Sequence, residues 1–310
     1  MKNELRYFLR CLITGVVVGL IGSKLVIPFL SYASITCLFA IPVVLGVVPL
    51  TGGLAFKQIS NRRVLTGALL TVSLFFLTLF LLFFIDLIGF IILSVPYFLI
   101  GTISALIFRN FIPEHGNSYL KLLIVLLSAI TMSWIELGIK RPSEVYTITN
   151  EVVVTATAQT IWDNIVEVGA IESHEYHSGF FNRIGIPRPV KATVNKKEVG
   201  GQRVGNFEGG LKFLENITQY EAFKTVSFDI KIDPRSISPK VFDLQIFTGN
   251  YFNFIDATYQ LTDLQNGQIR LSLSSSYRLT STVNFYGKIW GNLILSDFQS
   301  RLLNVIKNRC

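Results

Sequence analysis

Charged residues are scarce in this sequence. Of its 310 residues, only 15% are charged and 50% are hydrophobic, whereas a soluble globular domain has roughly 25% charged residues. This composition disfavours a wholly soluble globular protein. Cysteine is also rare, with three residues at positions 11, 37 and 310, so we expect no disulfide framework.

Short motifs for nucleotide, dinucleotide or metal chemistry are missing. The sequence contains no P-loop and no Rossmann glycine fingerprint, and it contains neither G-x-S-x-G nor H-E-x-x-H. The sequence therefore predicts no cofactor and no metal site.

Basic charge is concentrated in the N-terminal half. Residues 1–141 carry 11 basic and 4 acidic side chains, and residues 142–310 carry 17 and 16. Because the second half has no excess of positive charge for binding phosphates, nucleic acid is not an expected partner. The contrast predicts two domains, an apolar one at 1–141 and a more polar one at 142–310.

Long uncharged runs occupy the first of these domains. About 20 apolar residues in a helix cross a hydrocarbon core of about 30 Å, and in lipid the backbone must satisfy its own hydrogen bonds. We therefore predict about five transmembrane helices, near residues 9–28, 34–55, 64–85, 87–108 and 121–139. Asp86 and Glu136 are expected at turns that reach water.

Lysine and arginine predict the orientation of these helices. Eight basic residues fall before the first run and in alternate loops, against Lys24 alone in the other loops. By the positive-inside rule the N-terminus is cytoplasmic. An odd number of spans then places residues 142–310 on the outer (periplasmic or extracellular) face of a cell or inner membrane.

After Pro142 the pattern changes to alternation. At 225–232 and 269–279 every second residue lies on one face, and all of these except Ser275 are apolar. This is typical of antiparallel strands with one wet face. Further strands are predicted near 146–154, 191–199, 202–208, 211–219 and 251–263. A short helix after Thr157 and a long helix at about 284–308 complete an α+β fold, in which a curved antiparallel sheet surrounds the final helix.

Two segments frame this half of the chain. They are VVVTATAQTIWDNIVEV, with Trp162 in an early helix, and the closing NFYGKIWGNLILSDFQSRLLNVIKNR. With the strands between them, residues 145–309 resemble the SRPBCC superfamily, which includes START-like lipid carriers and polyketide cyclase/dehydrase-like proteins. The resemblance implies a helix-grip fold around an apolar cavity for a lipid, sterol or polyketide-like ligand. The membrane half lies outside it.

Several residues are candidates to line such a cavity. If Phe213 points inward from its strand, Glu215 does too, and a buried carboxylate needs a partner such as Arg203. It would orient a ligand hydroxyl or act as a general base. Glycines on the inward face of the last helix either allow close packing or leave a space. The predicted ligand-binding residues are Phe213, Glu215, Phe228, Tyr259, Tyr277, Tyr286, Gly287, Trp290 and Gly291.

One cluster contains two of the three histidines, at Glu172, His174, Glu175 and His177. Its spacing matches no zinc signature, so it is interpreted as a polar loop at the cavity mouth. His174 and Glu215 are the two candidates for a catalytic residue.

The expected function is membrane-anchored binding, and possible transfer, of a hydrophobic small molecule or lipid. Two alternatives stay open: a polyketide cyclase/dehydratase-like enzyme, and a non-catalytic membrane sensor or assembly factor. The expected partners are the ligand and the membrane, and no protein partner is named by the sequence.

Overall fold

The computed structural model describes residues 2–21, 33–51, 59–111, 117–237, 251–265 and 267–310. The chain divides into two compact units. The first is Met1–Pro142 with Ser281–Val283, and the second is Ser143–Thr280 with Asn284–Cys310.

The described part of the first unit is helical. Helix α1 spans Lys2–Ile21. A π-helical turn Thr36–Ala40, helix α2 at Ile41–Val47 and a 3-10 turn Val48–Leu50 follow in one apolar segment. Helices α3 at Asn61–Leu81, α4 at Leu87–Phe111 and α5 at Ser118–Gly138 complete the unit.

Three of the described helices, α3, α4 and α5, are long and apolar enough to cross a membrane. Within the described residues, the predicted count of about five spans is therefore not supported. The first predicted span overlaps α1, and this helix includes the charged residues Glu4, Arg6 and Arg10. In place of the second, an apolar segment of 36–50 contains Pro42 and Pro49. Proline removes a backbone donor and disrupts a continuous helix, and 15 helical residues reach only about 22 Å. Positions 22–28 and 52–55 of these predictions lie outside the described residues.

The two isolated acids of this unit cap helices. Asp86 lies in the turn between α3 and α4, and its carboxylate accepts a backbone N–H from the first turn of α4 at 3.0 Å. Glu136 does not reach water as expected, because it is only 8% exposed. Its carboxylate accepts the backbone N–H groups of Ile35 at 2.7 Å and Thr36 at 2.8 Å, and the hydroxyl of Thr282. An anion in this position satisfies the first N–H groups of a helix and favours its dipole.

A seven-stranded antiparallel sheet forms most of the second unit. The strands are β1 Ser143–Val154, β2 Pro189–Val194, β3 Gln202–Phe207, β4 Lys212–Glu221, β5 Thr225–Ile232, β6 Phe252–Asp263 and β7 Ile269–Thr280. Their order in space is β1-β7-β6-β5-β4-β3-β2. Strands β2 to β7 therefore pair in chain order, and β1 pairs with β7 to form the other edge.

Three helices accompany the sheet. Helices α6 at Ala158–Val166 and α7 at Phe180–Arg183 connect β1 to β2, and α8 at Asn284–Arg309 ends the chain. Thr157 caps α6 by accepting the N–H of Thr160. A sheet followed by a long C-terminal helix confirms the predicted α+β layout and is consistent with a helix-grip fold.

Most predicted strands lie close to their observed positions, because alternating burial fixes which residues form them. Strand β2 is the exception: it ends at Val194 rather than at 199. Beyond it, the side chain of Asn195 accepts the N–H of Gln202 at 2.7 Å, and Gly200 adopts a φ of 85°. This conformation is unfavourable for residues other than glycine, so the chain turns there instead of continuing the strand.

Two glycines bring α8 close to β7. A Cβ atom on Gly291 would lie 2.8 Å from the hydroxyl of Tyr277, and one on Gly287 would lie 3.0 Å from Cδ1 of Leu279. Tyr277 is fully buried, and its hydroxyl donates to Oδ1 of Asn292 at 2.6 Å. Of the two alternatives for these glycines, the structure therefore has close packing.

We expect Gly291→Ala to lower the free energy of unfolding of the second unit by about 1–3 kcal/mol, since the new methyl group would overlap a buried ring. Tyr277 cannot easily move aside, because its ring stacks on Phe252 at 5.2 Å between centroids. Gly287→Ala is the matched control. Its methyl group meets only the end of the Leu279 side chain, and alanine favours a helix by about 1 kcal/mol. Thermal unfolding of the full chain in detergent measures both, and equal stabilities would contradict this packing.

Candidate functional site

A cavity of about 80 Å³ lies between the buried face of the sheet and α8. Residues of β2 to β7 and of the middle turns of α8 form its walls. Most of the lining side chains are aliphatic or aromatic. The polar exceptions are Lys191, Arg203, Asn206, Glu215, Tyr259 and Ser275.

An ion pair between Arg203 and Glu215 forms the inner wall. The two residues are direct partners across β3 and β4, and they are 6% and 7% exposed. Besides Glu215, the guanidinium donates from Nε to the carbonyl of Val166 at 3.1 Å and from Nη2 to that of Ile165 at 3.4 Å. Its carbon also lies 4.9 Å from the ring centroid of Phe228. Arg203 therefore neutralises Glu215 and satisfies the last carbonyls of α6.

Burial and the ion pair together set the protonation of this wall. Burial alone would lower the pKa of Arg203, but the Glu215 carboxylate outweighs it and keeps the pKa above its usual value. Burial also raises the pKa of Tyr259 to about 12. At neutral pH the wall thus contains a charged guanidinium and a protonated phenol.

Four half-buried phenylalanines narrow the other end of the cavity. The ring centroid of Phe213 lies 4.6 Å from that of Phe207 and 5.0 Å from that of Phe254, and Phe298 lies 6.0 Å from Phe207. Pockets for drug-sized ligands have roughly 300–1,000 Å³, and a cavity of about 150 Å³ accommodates benzene. At about 80 Å³ the cavity admits a larger guest only when these rings move.

The structure brings together four of the nine predicted ligand-binding residues. Phe213, Glu215, Phe228 and Tyr259 line the cavity. Tyr277, Tyr286, Gly287, Trp290 and Gly291 do not. They lie on the first turns of α8 and on the part of β7 packed against it, whereas the cavity lies beside Leu295, Phe298 and Leu302, later in the helix.

Strand parity alone does not find every lining residue. Phe254 and Tyr259 both line the cavity although five positions separate them. The register of β6 against β7 shifts between Phe254 and Asp256. Such a bulge moves residues on either side of it onto the same face, and no residue pattern in β6 signals it.

Comparisons with known proteins find structural similarity at low sequence identity. No family model matches the chain, and no curated protein matches it. Truncated norcoclaurine synthase from Thalictrum flavum aligns with 53% of this chain and 92% of the truncated chain, at 14% identity and a TM-score of 0.34. Protein Ms6760 from Mycobacterium smegmatis aligns with 54% and 96%, at 15% identity and a TM-score of 0.35. A protein from Rhizobium leguminosarum aligns with 55% and 99%, at 10% identity and a TM-score of 0.34. The fold assignment rests instead on the strand order and on α8.

The histidine cluster lies on an exposed turn and contributes no lining residue to the cavity. Glu175 is held by Arg309, whose Nε and Nη2 each donate to its carboxylate at 2.7 Å. The N–H of Glu172 donates to the same carboxylate at 2.7 Å. Within the described ranges, no three metal-ligating side chains cluster. His174 is exposed on this turn, away from the cavity wall.

The Glu175–Arg309 pair predicts a pH dependence. The hydrogen bonds from Arg309, assisted by the N–H of Glu172, lower the pKa of Glu175 to about 2. Because this is below the value of about 4.3 for an unfolded glutamate, the pair contributes fully above about pH 4.3, and its contribution is lost as the pH falls to about 2.

Carboxyl ¹³C NMR of the full chain should therefore show Glu175 titrating near pH 2. Arg309→Gln is the control, in which the midpoint of Glu175 should rise because its main hydrogen-bond donor is removed. A midpoint near 4 for Glu175 would show that Arg309 does not hold it in solution.

Proposed function

We propose that the second unit binds a small apolar molecule in its cavity, and that the apolar helices of the first unit hold the protein in a membrane. The observation that carries the proposal is the mainly apolar lining with a buried ion pair at one wall. Few polar groups in an apolar concavity are typical of small-molecule sites, where they orient the ligand.

The size of the cavity limits the ligand. At about 80 Å³, it does not hold a phospholipid tail or a sterol with the phenylalanine rings as they stand. These four rings are only half-buried, so they change rotamer more readily than fully buried side chains do. We therefore propose a compact ligand that enters by displacing them, in place of the broader expectation of a lipid.

Binding is favoured over catalysis by the state of the two candidate catalytic residues. A cyclase or dehydratase needs an acid or base that can exchange a proton at the cavity. His174 lies on an exposed turn, and Glu215 is ion-paired with Arg203. A binding site needs neither group to titrate.

The basic residues around α3, α4 and α5 support an orientation. Arg62 and Arg63 lie at the start of α3, Arg109 at the end of α4 and Lys121 at the start of α5, whereas Lys140 and Arg141 follow α5. The first four of these residues lie on one side of the three helices and the last two on the other. The positive-inside rule therefore predicts that the start of α3 is on the cytoplasmic side. Three crossings then lead to the outer face, as five would.

Filling the cavity should prevent binding. We expect Ala257→Leu, which adds three carbons at a lining position, to weaken the binding of toluene at least tenfold, because the added side chain takes the space of the guest. Ala222→Leu, at an exposed position, is the matched control and should bind as the wild type does. The measurement is a ligand-observed NMR titration of the full chain in lipid nanodiscs, with empty nanodiscs subtracted. Absence of saturable binding to the wild type would refute the proposed function.

Cysteine labelling tests the orientation. In a Cys310→Ser background, a membrane-impermeant maleimide should label Glu198→Cys in intact spheroplasts, because this exposed turn follows α5 on the outer face. Asn61→Cys, at the start of α3, should react only after permeabilisation. The reverse pattern would overturn the orientation, and labelling of both positions in intact spheroplasts would show that α3–α5 do not separate them by a membrane.

A further inference from the structure

The guanidinium of Arg203 is engaged on three sides. It donates to the carbonyls of Val166 and Ile165 and to Oε2 of Glu215. These bonds fix its plane against the end of α6. Arg203 thus serves mainly as a partner within the protein and holds Glu215 in one orientation at the cavity wall.

The second oxygen of Glu215 is placed differently. Only Oε2 takes part in the ion pair, and no hydrogen bond to Oε1 is found among the described residues. Oε1 lies beside Gly205, where a Cβ atom would be 3.0 Å away. Gly205 itself lines the cavity. The missing side chain leaves an acceptor atom of a buried carboxylate accessible from the cavity.

We propose that the ligand of this cavity is a neutral, compact apolar molecule with one hydroxyl group, which donates its hydrogen to Oε1 of Glu215. The proposal rests on the binding function proposed above and names its ligand class. A hydrocarbon ligand would exclude water from Oε1 without donating a hydrogen bond to it. A buried acceptor that lacks a hydrogen-bond donor is unfavourable. The phenol of Tyr259 lines the same cavity and adds a polar neighbour for the ligand oxygen.

Charge excludes the two ionic classes. Arg203 and Glu215 together carry no net charge, so the inner wall has no excess of either sign. A carboxylate ligand would bring a second negative charge next to Oε1. Two like charges in contact in a buried site repel each other strongly. An ammonium ligand would be placed near Arg203 and Lys191, both of which line the cavity.

Three aromatic probes distinguish a hydroxyl, a hydrocarbon and a carboxylate ligand. Phenol and toluene differ by a hydroxyl in place of a methyl group, and benzoate carries a carboxylate on the same ring. A hydrogen bond to a charged acceptor predicts that phenol binds at least about tenfold more tightly than toluene. Benzoate should bind more weakly than toluene. The titrations use ligand-observed NMR on the full chain in lipid nanodiscs.

Variants assign the preference to Oε1. Glu215→Gln should reduce the phenol-to-toluene affinity ratio to about one, because the amide oxygen turns to Arg203 and an NH₂ group replaces the acceptor. Gly205→Ala should also reduce the ratio, since its methyl group covers Oε1 while the ion pair stays intact. Ser276→Ala is the matched control. Ser276 lies on the same strand but does not line the cavity, and its hydroxyl is hydrogen-bonded to that of Thr147 at 3.1 Å, so the ratio should not change.

Each outcome decides a different claim. A tenfold phenol preference that Gly205→Ala removes supports the ligand class, even if Glu215→Gln fails to fold. Equal binding of phenol and toluene, or tighter binding of benzoate, overturns the ligand class and leaves an apolar binding site. If none of the three probes binds the wild type, the proposed function itself fails.

Discussion

A buried carboxylate opposite a buried guanidinium constrains the whole second unit. Arg203 and Glu215 face each other across β3 and β4, and Arg203 also reaches the carbonyls at the end of α6. Either charge alone in this position would be strongly unfavourable, and removing one partner of a buried pair typically costs about 3–5 kcal/mol. The pair therefore links two strands and a helix end in one arrangement, and it places two charged groups in a cavity wall that is otherwise mainly apolar.

The contact between α8 and the sheet changes along the helix. At its start, Gly287 and Gly291 let the backbone approach Leu279 and Tyr277 closely, so no space is left. Further along, Leu295, Phe298 and Leu302 face the cavity. Protein interiors are otherwise close-packed, so a void beside the middle turns of a tightly packed helix is a local feature. Its phenylalanine rings lie at the partly exposed end, where side chains can move without disturbing the core.

In the first unit, single residues affect how an apolar run of the chain folds into helical elements. Segment 36–50 is apolar, yet Pro42 and Pro49 fall within it and its helix is divided into three short elements. Glu136 then supplies a carboxylate to the N–H groups at the start of that segment. Apolar composition alone does not reveal either effect, because both depend on where backbone donors find acceptors.

The order and type of the elements follow from the sequence by itself. Period-two alternation locates β5 and β7 and places Phe213 and Glu215 on the buried face of β4, since side chains of a strand alternate between its two faces. The need of a buried carboxylate for a cation also identifies Arg203 as a possible partner for Glu215. Tertiary structure decided the rest. The bulge in β6 places Phe254 in the cavity wall, and the crossing of α8 over the sheet leaves Tyr286, Trp290 and both helix glycines outside it. These features depend on how elements far apart in the sequence pack against one another. A local pattern of residues does not determine that packing.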